Sequence, residues 1–482
     1  MKHLFITMLV LVCTQLYSQT YYDVKDYGAI GNGETLDTQA IQKAIDTCHE
    51  NGGGTVYLPA GSYLSGTIFF RDDITLLLDS GATLLGSTDL QDFPSMIPAF
   101  RSYTDVNYTE KSLIYAENVE NIAIMGRGTL DGQGEEEAYQ LQSGPANYKK
   151  RPYMIRMIEC RNVLLRDVKI INSPMWVQHY LACENVNIDG ITVHSNVNHN
   201  NDGIDIDCCN KVRISNCEIN SGDDAIVLKA TGPKDCENIT ITNCVLRSHC
   251  NAFKCGTEST GGFKNITFSN STIYDTRLSG IALEMVDGGT MDRVVISGIT
   301  MKDVKGGIFI RLGNRARPYL STGAGGPSKQ QYVPEAGLET PPVGTLGNII
   351  IRDVIATGIS EVGCSITGIP ARSAENITLE NLRLSFVGGG ETDLVTWEVP
   401  EQIDRYPEHS MFGTLPAYGF YCRHAKNLKF RDIQLDYVEP EARPAMMFDD
   451  IDTLFLENLQ LKDPASDFPA VRFRDVKNLV KK

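Results

Sequence analysis

The segment Asn185-Val186-Asn187-Ile188-Asp189-Gly190-Ile191-Thr192-Val193 places apolar side chains at alternate positions on either side of Asp189-Gly190. A period of two belongs to strands, so the segment reads as two short strands and a turn. Its first four residues return along the chain. Asn121-Ile122-Ala123-Ile124, Asn162-Val163-Leu164-Leu165, Lys211-Val212-Arg213-Ile214, Asn238-Ile239-Thr240-Ile241, Asn265-Ile266-Thr267-Phe268 and Arg293-Val294-Val295-Ile296 share the pattern, and Asn348, Asn376 and Asn427 open later copies. Between 162 and 293 the steps are 23, 26, 27, 27 and 28 residues. Repeats of that length built from alternating strands predict an all-β fold, a right-handed parallel β-helix (β-solenoid) in which each coil buries its apolar face against the next. The one helical pattern, Thr38–Cys48, sets Ile41, Ala44, Ile45 and Cys48 on one side and is expected to cap the open first coil.

At the start of the chain, Lys2 and His3 precede an apolar run, Leu4 to Val12, too short to span a bilayer. Residues 1–18 are expected to be an export signal cleaved near Ser18-Gln19, leaving 19–482 as a single β-helix domain, exported to the periplasm or the medium and monomeric. Lipid anchoring at Cys13 is disfavoured because Val10-Leu11-Val12 lacks the usual small residues. No later stretch reaches transmembrane length. Sixty acidic against 44 basic residues, a net charge of −16, with no Lys/Arg block longer than Lys149-Lys150-Arg151, argue against nucleic acid as a partner. Of the 13 cysteines, Cys160, Cys183, Cys208, Cys217, Cys236 and Cys244 recur beside the repeat strands, where a small buried hydrophobe suits a stacked core. Cys208-Cys209, or Cys250 with Cys255, could bridge. No CxxC or HxxxH spacing suggests zinc, and no metal or cofactor is expected.

Three longer steps interrupt the period. Residues 131–152 are polar and rich in Gly and Glu, 313–346 are rich in Pro and Gly, and 388–420 contain Trp397, Tyr406 and Tyr418. Insertions in a solenoid become loops, often on one binding face, and loops this long serve as lids or binding elements more often than as plain connections. The two later insertions are expected to wall off one end of a groove, with an aromatic side chain against a terminal sugar. The plainer alternative is that they only shield coil edges.

Asn200-Asn201-Asp202 and Gly222-Asp223-Asp224 carry the chemistry. Asp202 and Asp224 are 22 residues apart, close to one coil, so they are expected to stack at the inter-strand spacing of about 4.8 Å. Crowded carboxylates push at least one pKa upward, pairing a protonated acid with an ionised base. Glycoside hydrolysis needs that pair, one to protonate the leaving oxygen and one to activate water or attack the sugar. On residue types alone a calcium site or Asp-rich turns, with Asp205 and Asp207 nearby, remains open.

The sequence resembles glycoside hydrolase family 28, the polygalacturonase-like pectin enzymes. The resemblance is carried by Tyr22-Asp23-Val24-Lys25-Asp26-Tyr27-Gly28, by Gly126-Arg127-Gly128-Thr129-Leu130-Asp131-Gly132 and by the two aspartate motifs, with Asn201 in place of the family's Thr. It implies a hydrolase acting on pectic or related polysaccharide, with Asp223 as general acid and Asp202 and Asp224 activating water for inverting displacement. Substrate-binding positions are expected at Asn200, Asn201, Lys229, His249, Asn251, Lys254, Glu284 and Arg311. The family's histidine position falls on Asn251, with His249 two residues away. Its carboxylate-binding Arg-Ile-Lys falls on Ala282-Leu283-Glu284, so unbranched polygalacturonate is expected to be a poor substrate. The same register stacks Lys229, Gly256, Glu284 and Arg311 in one column, where Arg311 either pairs with Glu284 or offers a displaced carboxylate clamp. A polysaccharide lyase and a non-catalytic carbohydrate-binding β-helix are the rival classes. The first needs a cationic or imidazole base, and the second has no need of converging aspartates.

Overall fold

The computed structural model describes residues 21–140, 147, 150–319, 321–323, 332–334 and 340–482. The expected export signal and Cys13 lie outside the described residues, as do parts of the 131–152 and 313–346 insertions.

Strand pairing is parallel through one continuous network from Tyr21–Asp23 to Val471–Lys481. Each strand of the repeat pairs with the strand three places further along. Glu184–Asp189 pairs with Asn210–Ser215, Thr192–Ser195 with Glu218–Ser221, and Ile204–Asp207 with Ile226–Ala230. Three parallel sheets result, one per face of the coil. Beyond Gly262 the faces merge into single bent strands, and Gly262–Met285 pairs with Thr290–Leu312 along nearly its whole length.

The recurrent asparagines have a backbone reason. Asn121, Asn162, Asn185, Asn238 and Asn265 turn the chain with φ between 56° and 57°, the left-handed region that Asn tolerates better than other side-chain-bearing residues. Their amides also form a ladder: Asn162 Nδ2 donates to Asn121 Oδ1 at 2.9 Å, Asn185 to Asn162 at 2.8 Å and Asn265 to Asn238 at 2.6 Å. Where the pattern reads Lys211, the backbone keeps φ 60° and Asn210 takes over the ladder, accepting from Asn238 at 2.9 Å. Inside, Ile188, Ile214, Ile241, Phe268 and Ile296 stack in register and are buried. Each contributes roughly 1.5–3 kcal/mol by leaving water. All twelve described cysteines are free thiols, so neither suggested bridge forms; eleven are buried, and Cys250 is half-exposed.

The helix Thr38–Glu50 ends two residues later than its apolar spacing predicts and buries Ile41, Ala44, Ile45 and Cys48. The Asp37 carboxylate accepts from Ile30 N and Gly31 N at 2.7 and 2.9 Å and so ties the helix start to the preceding turn. Among the described residues, no helix is long and apolar enough to cross a membrane.

Candidate active site

The third sheet carries the aspartates. Gly203 N donates to Asp224 O at 2.8 Å, Ala225 N to Asn251 O at 2.8 Å, and Ala252 N to Ser279 O at 2.9 Å. Asp202, Asp224, Asn251 and Ser279 therefore hold the same place on four successive coils. Asp223 is turned outward by its carbonyl, which accepts from Ser221 Oγ and Ser248 Oγ at 2.6 Å each. The carboxylate oxygens of Asp223 and Asp224 and the Cys250 thiol all lie within 4.8 Å of one another, a set that could hold a metal ion.

Burial would raise all three carboxyls, but their neighbours divide them. Asp224 is held below the ordinary carboxylate range, because Lys254, Lys229 and two hydrogen bonds from Asn251 outweigh its burial. Those bonds run from Asn251 N at 3.0 Å and Nδ2 at 2.7 Å, both to Oδ1, while Lys254 Nζ stands 3.2 Å from Oδ2. Asp223 is pushed up by burial and then by the Asp224 charge. Asp202 is raised further by burial and by Asp223 and Asp205, and Asp205 is raised by burial. Lys229 Nζ lies 3.5 Å from Asp205 and 3.8 Å from Asp202, and 4.7 Å from the Trp176 ring centre. An adjacent acid and base with opposite displacements can move a proton in one direction, which is what acid–base cleavage requires.

The expected binding residues separate. Lys229, Asn251, Lys254 and Glu284 gather beneath the aspartates. Lys254 Nζ is 3.8 Å from Glu284, whose carboxyl accepts from Thr257 Oγ1 at 3.1 Å and is pushed up to about 8 by burial against the pull of Lys254. The expected column is interrupted: the register shifts after Leu228, so Lys229 leaves the line, while Gly256 faces Glu284 and the backbone of Glu284 is in strand register with that of Arg311.

Four of the expected binding residues are placed as follows. Asn201 is fully buried. Its Nδ2 donates to Ser173 O and Met175 O, and its Oδ1 accepts from Val197 N and Asn198 N, so it shapes the turn and does not face substrate. Asn200 is half-buried, and its Oδ1 accepts from Arg151 Nη2 at 3.2 Å. His249 sits at the rim with its backbone N bonded to Ser221 O; its ring makes no hydrogen bond to the aspartates. Arg311 neither pairs with Glu284 nor faces the groove. Its guanidinium donates to Gly368 O and Glu401 O at 2.9 and 2.8 Å, to Gln402 O and to Thr367 Oγ1, and lies over the Phe412 ring. The side chains of Asn200, Asn201 and Arg311 are satisfied by partners that the repeat period does not encode.

The insertions behave unequally. From 388–420, Tyr406 reaches the site, its ring centre 5.6 Å from Lys254 Nζ and 5.7 Å from Arg315. Tyr418 is buried core instead, its hydroxyl bonded to Lys462 O at 2.9 Å, because it packs between Phe386 and Tyr437. Trp397 is 37% exposed, beside Gly413. From 133–140, Tyr139 O and Gly134 O accept from Asn198 Nδ2 and so brace the turn before Asp202.

Several site residues were not singled out in the sequence. Glu258 is buried between Arg317, at 3.1 Å, and Arg315, at 3.6 Å; against burial, Lys229 and these two guanidinia hold its carboxyl down at about 2. Arg315 also pairs with Asp287. Arg317 lies 4.1 Å from the Tyr103 ring centre, and Tyr108 packs on Trp176 at 4.7 Å. Glu408 is half-exposed, and burial, with Asp224 and Asp223 opposing the pull of Lys254, brings it up to about 7. Glu258 stands on strand Phe253–Ser259, paired with the strand of Lys229, so stacking could have found it. Tyr103 and Tyr108 belong to a stretch with no repeat signal.

Stacked carboxylates with split protonation on a parallel β-helix are the equipment of a glycoside hydrolase. The chain belongs to glycosyl hydrolases family 28, whose family model matches residues 48–323. It is 27% identical over 434 residues to a probable polygalacturonase of Vitis vinifera, covering 86% of this chain and 84% of that one. It is 27% identical over 260 residues to an exo-poly-alpha-D-galacturonosidase of Dickeya chrysanthemi, covering 45% and 43%. Its fold is similar to that of a Yersinia enterocolitica family 28 exopolygalacturonase, with a TM-score of 0.67 at 20% identity, covering 95% of this chain and 78% of that one.

Proposed function

We propose that this glycoside hydrolase is an exported monomer that releases units from the chain ends of pectic polysaccharide, with Asp223 protonating the leaving oxygen. The observation that carries this reading is the opposite displacement of the adjacent Asp223 and Asp224. Asp224, ionised, deprotonates the attacking water, and Asp202, pushed up by burial and its carboxylate neighbours, helps to orient it. Inversion is taken from family membership. Lys229 and Lys254 are both held protonated by their carboxylate partners, which disfavours either as the base of a lyase.

Chain-end action is supported by residues that two separate segments bring close to the aspartates and their cations. Tyr406 and Glu408 come from 388–420, while Tyr103 and Tyr108 lie against Arg317 and Trp176. Exo-acting names among the relatives point the same way. We read the helix Thr38–Glu50 as the cap of the first coil in a right-handed β-helix.

Incubation with a panel of pectic fractions, sizing of the products and assignment of the new anomer by NMR tests the whole reading. Monomer or dimer from the earliest times, slow loss of viscosity and an inverted anomer are expected. An early ladder of intermediate oligosaccharides would refute chain-end action, a retained anomer would refute inversion, and an unsaturated product absorbing in the near ultraviolet would mean a lyase.

A further inference from the structure

The cations around the aspartates already have acceptors from this chain. Lys254 stands between Asp224 and Glu284, and Lys229 between Asp205 and Asp202. Arg317 is paired with Glu258, and Arg311 holds backbone carbonyls. What the loop 388–420 adds to the mouth of the site is a carboxylate. Glu408 lies between Tyr406, whose ring is against Lys254, and His409, which packs at Gly306. Gly306 pairs with Ser279, and Ser279 N donates to Asn251 Oδ1 at 3.0 Å. Glu408 is thus held beside the coils just beyond Asp224, half-buried and close enough to Lys254, Asp224 and Asp223 to feel their charges.

On the basis of the hydrolase reading above, we propose that the sugar unit seated against Tyr406 and Glu408 is neutral, its hydroxyls donating to the Glu408 carboxylate, and that Glu408 selects it over a uronate. A uronate carboxylate there meets the Glu408 carboxylate, while the nearest amines, Lys254 and Lys229, already lie against carboxyl groups of this chain. A hydroxyl meets an acceptor with a lone pair to offer, and the apolar face of the ring meets Tyr406. The unit is therefore a neutral sugar bonded within, or to the side of, a pectic chain.

Oligogalacturonides and the same oligosaccharides after carboxyl reduction share linkage and ring and differ in charge. At alkaline pH, where Glu408 is charged, wild-type enzyme is expected to cleave the reduced series with kcat/KM at least about tenfold higher. Glu408→Gln, checked for an unchanged melting temperature, should raise kcat/KM on the charged series about tenfold and narrow the preference. A wild-type preference for the charged series, or no gain on it in Glu408→Gln, overturns the neutral unit while leaving the hydrolase reading standing. Cleavage of neither series removes the hydrolase reading on these linkages and the neutral unit with it.

Discussion

Lys254 Nζ stands 3.2 Å from Asp224 Oδ2, and this ion pair keeps Asp224 charged where burial alone would neutralise it. Removing the amine reverses that balance. Lys254→Met is expected to lower kcat/KM by about 10²-fold in mildly acid conditions, because Asp224 then ionises only at higher pH. The acid limb of the pH profile should move upward. An acid limb left in place would show that Asp224 is not the base.

Burial and the Asp224 charge push Asp223 toward its protonated form. Asp223→Asn keeps the shape and loses the transferable proton, so turnover should fall by about 10²–10⁴-fold with the circular dichroism spectrum unchanged. Aryl glycosides with good leaving groups should lose much less. A folded variant working at the wild-type rate on polysaccharide would remove Asp223 from the mechanism.

Arg311 latches the loop that delivers Tyr406 and Glu408, through its bonds to Glu401 O and Gln402 O. Arg311→Lys keeps the charge but cannot reach four acceptors in a fixed fork. About tenfold loss of kcat/KM is expected, mostly as a raised KM, together with faster proteolysis between residues 388 and 420. Unchanged proteolysis with lost activity would indicate a direct contact with substrate.

Two buried carboxyls pull stability in opposite directions with pH. Glu258 is held down at about 2, so its contribution is complete above its unfolded value and is lost as pH falls toward about 2. Glu284 is pushed up to about 8, so stability is greatest below its unfolded value and declines as pH rises toward about 8. Glu284→Gln removes the second effect. The drop in melting temperature between about pH 5 and about pH 8 should shrink in the variant, and an unchanged drop would place the alkaline loss elsewhere.

The asparagine ladder has a measurable share in the fold. Asn185 combines φ 57° with a 2.8 Å bond to Asn162. Asn185→Ala should cost roughly 1–2 kcal/mol from the left-handed backbone alone, and Asn185→Gly less. Equal losses in denaturant titrations would assign the effect to the hydrogen bond and not to the bend.

A solenoid writes its nearest-neighbour contacts into sequence spacing, because a residue stacks on its counterpart one coil later. That is why the parallel ladder, the row Asp202–Asp224–Asn251 and the strand register of Glu284 with Arg311 were legible from the sequence. Composition likewise made the cysteines core residues, and the solenoid keeps them as thiols. Contacts that cross the period carry no such signal. Arg311 turned toward Glu401, Tyr418 sank into the core, Arg317 met Tyr103, and Glu408 arrived over the aspartates only when the loops folded back across the third sheet. The division of protons followed from the same placement. Asp223 and Asp224 are chemically identical neighbours in sequence, and the amine of Lys254 and the amide of Asn251, each one coil away, decide which of them holds the charge.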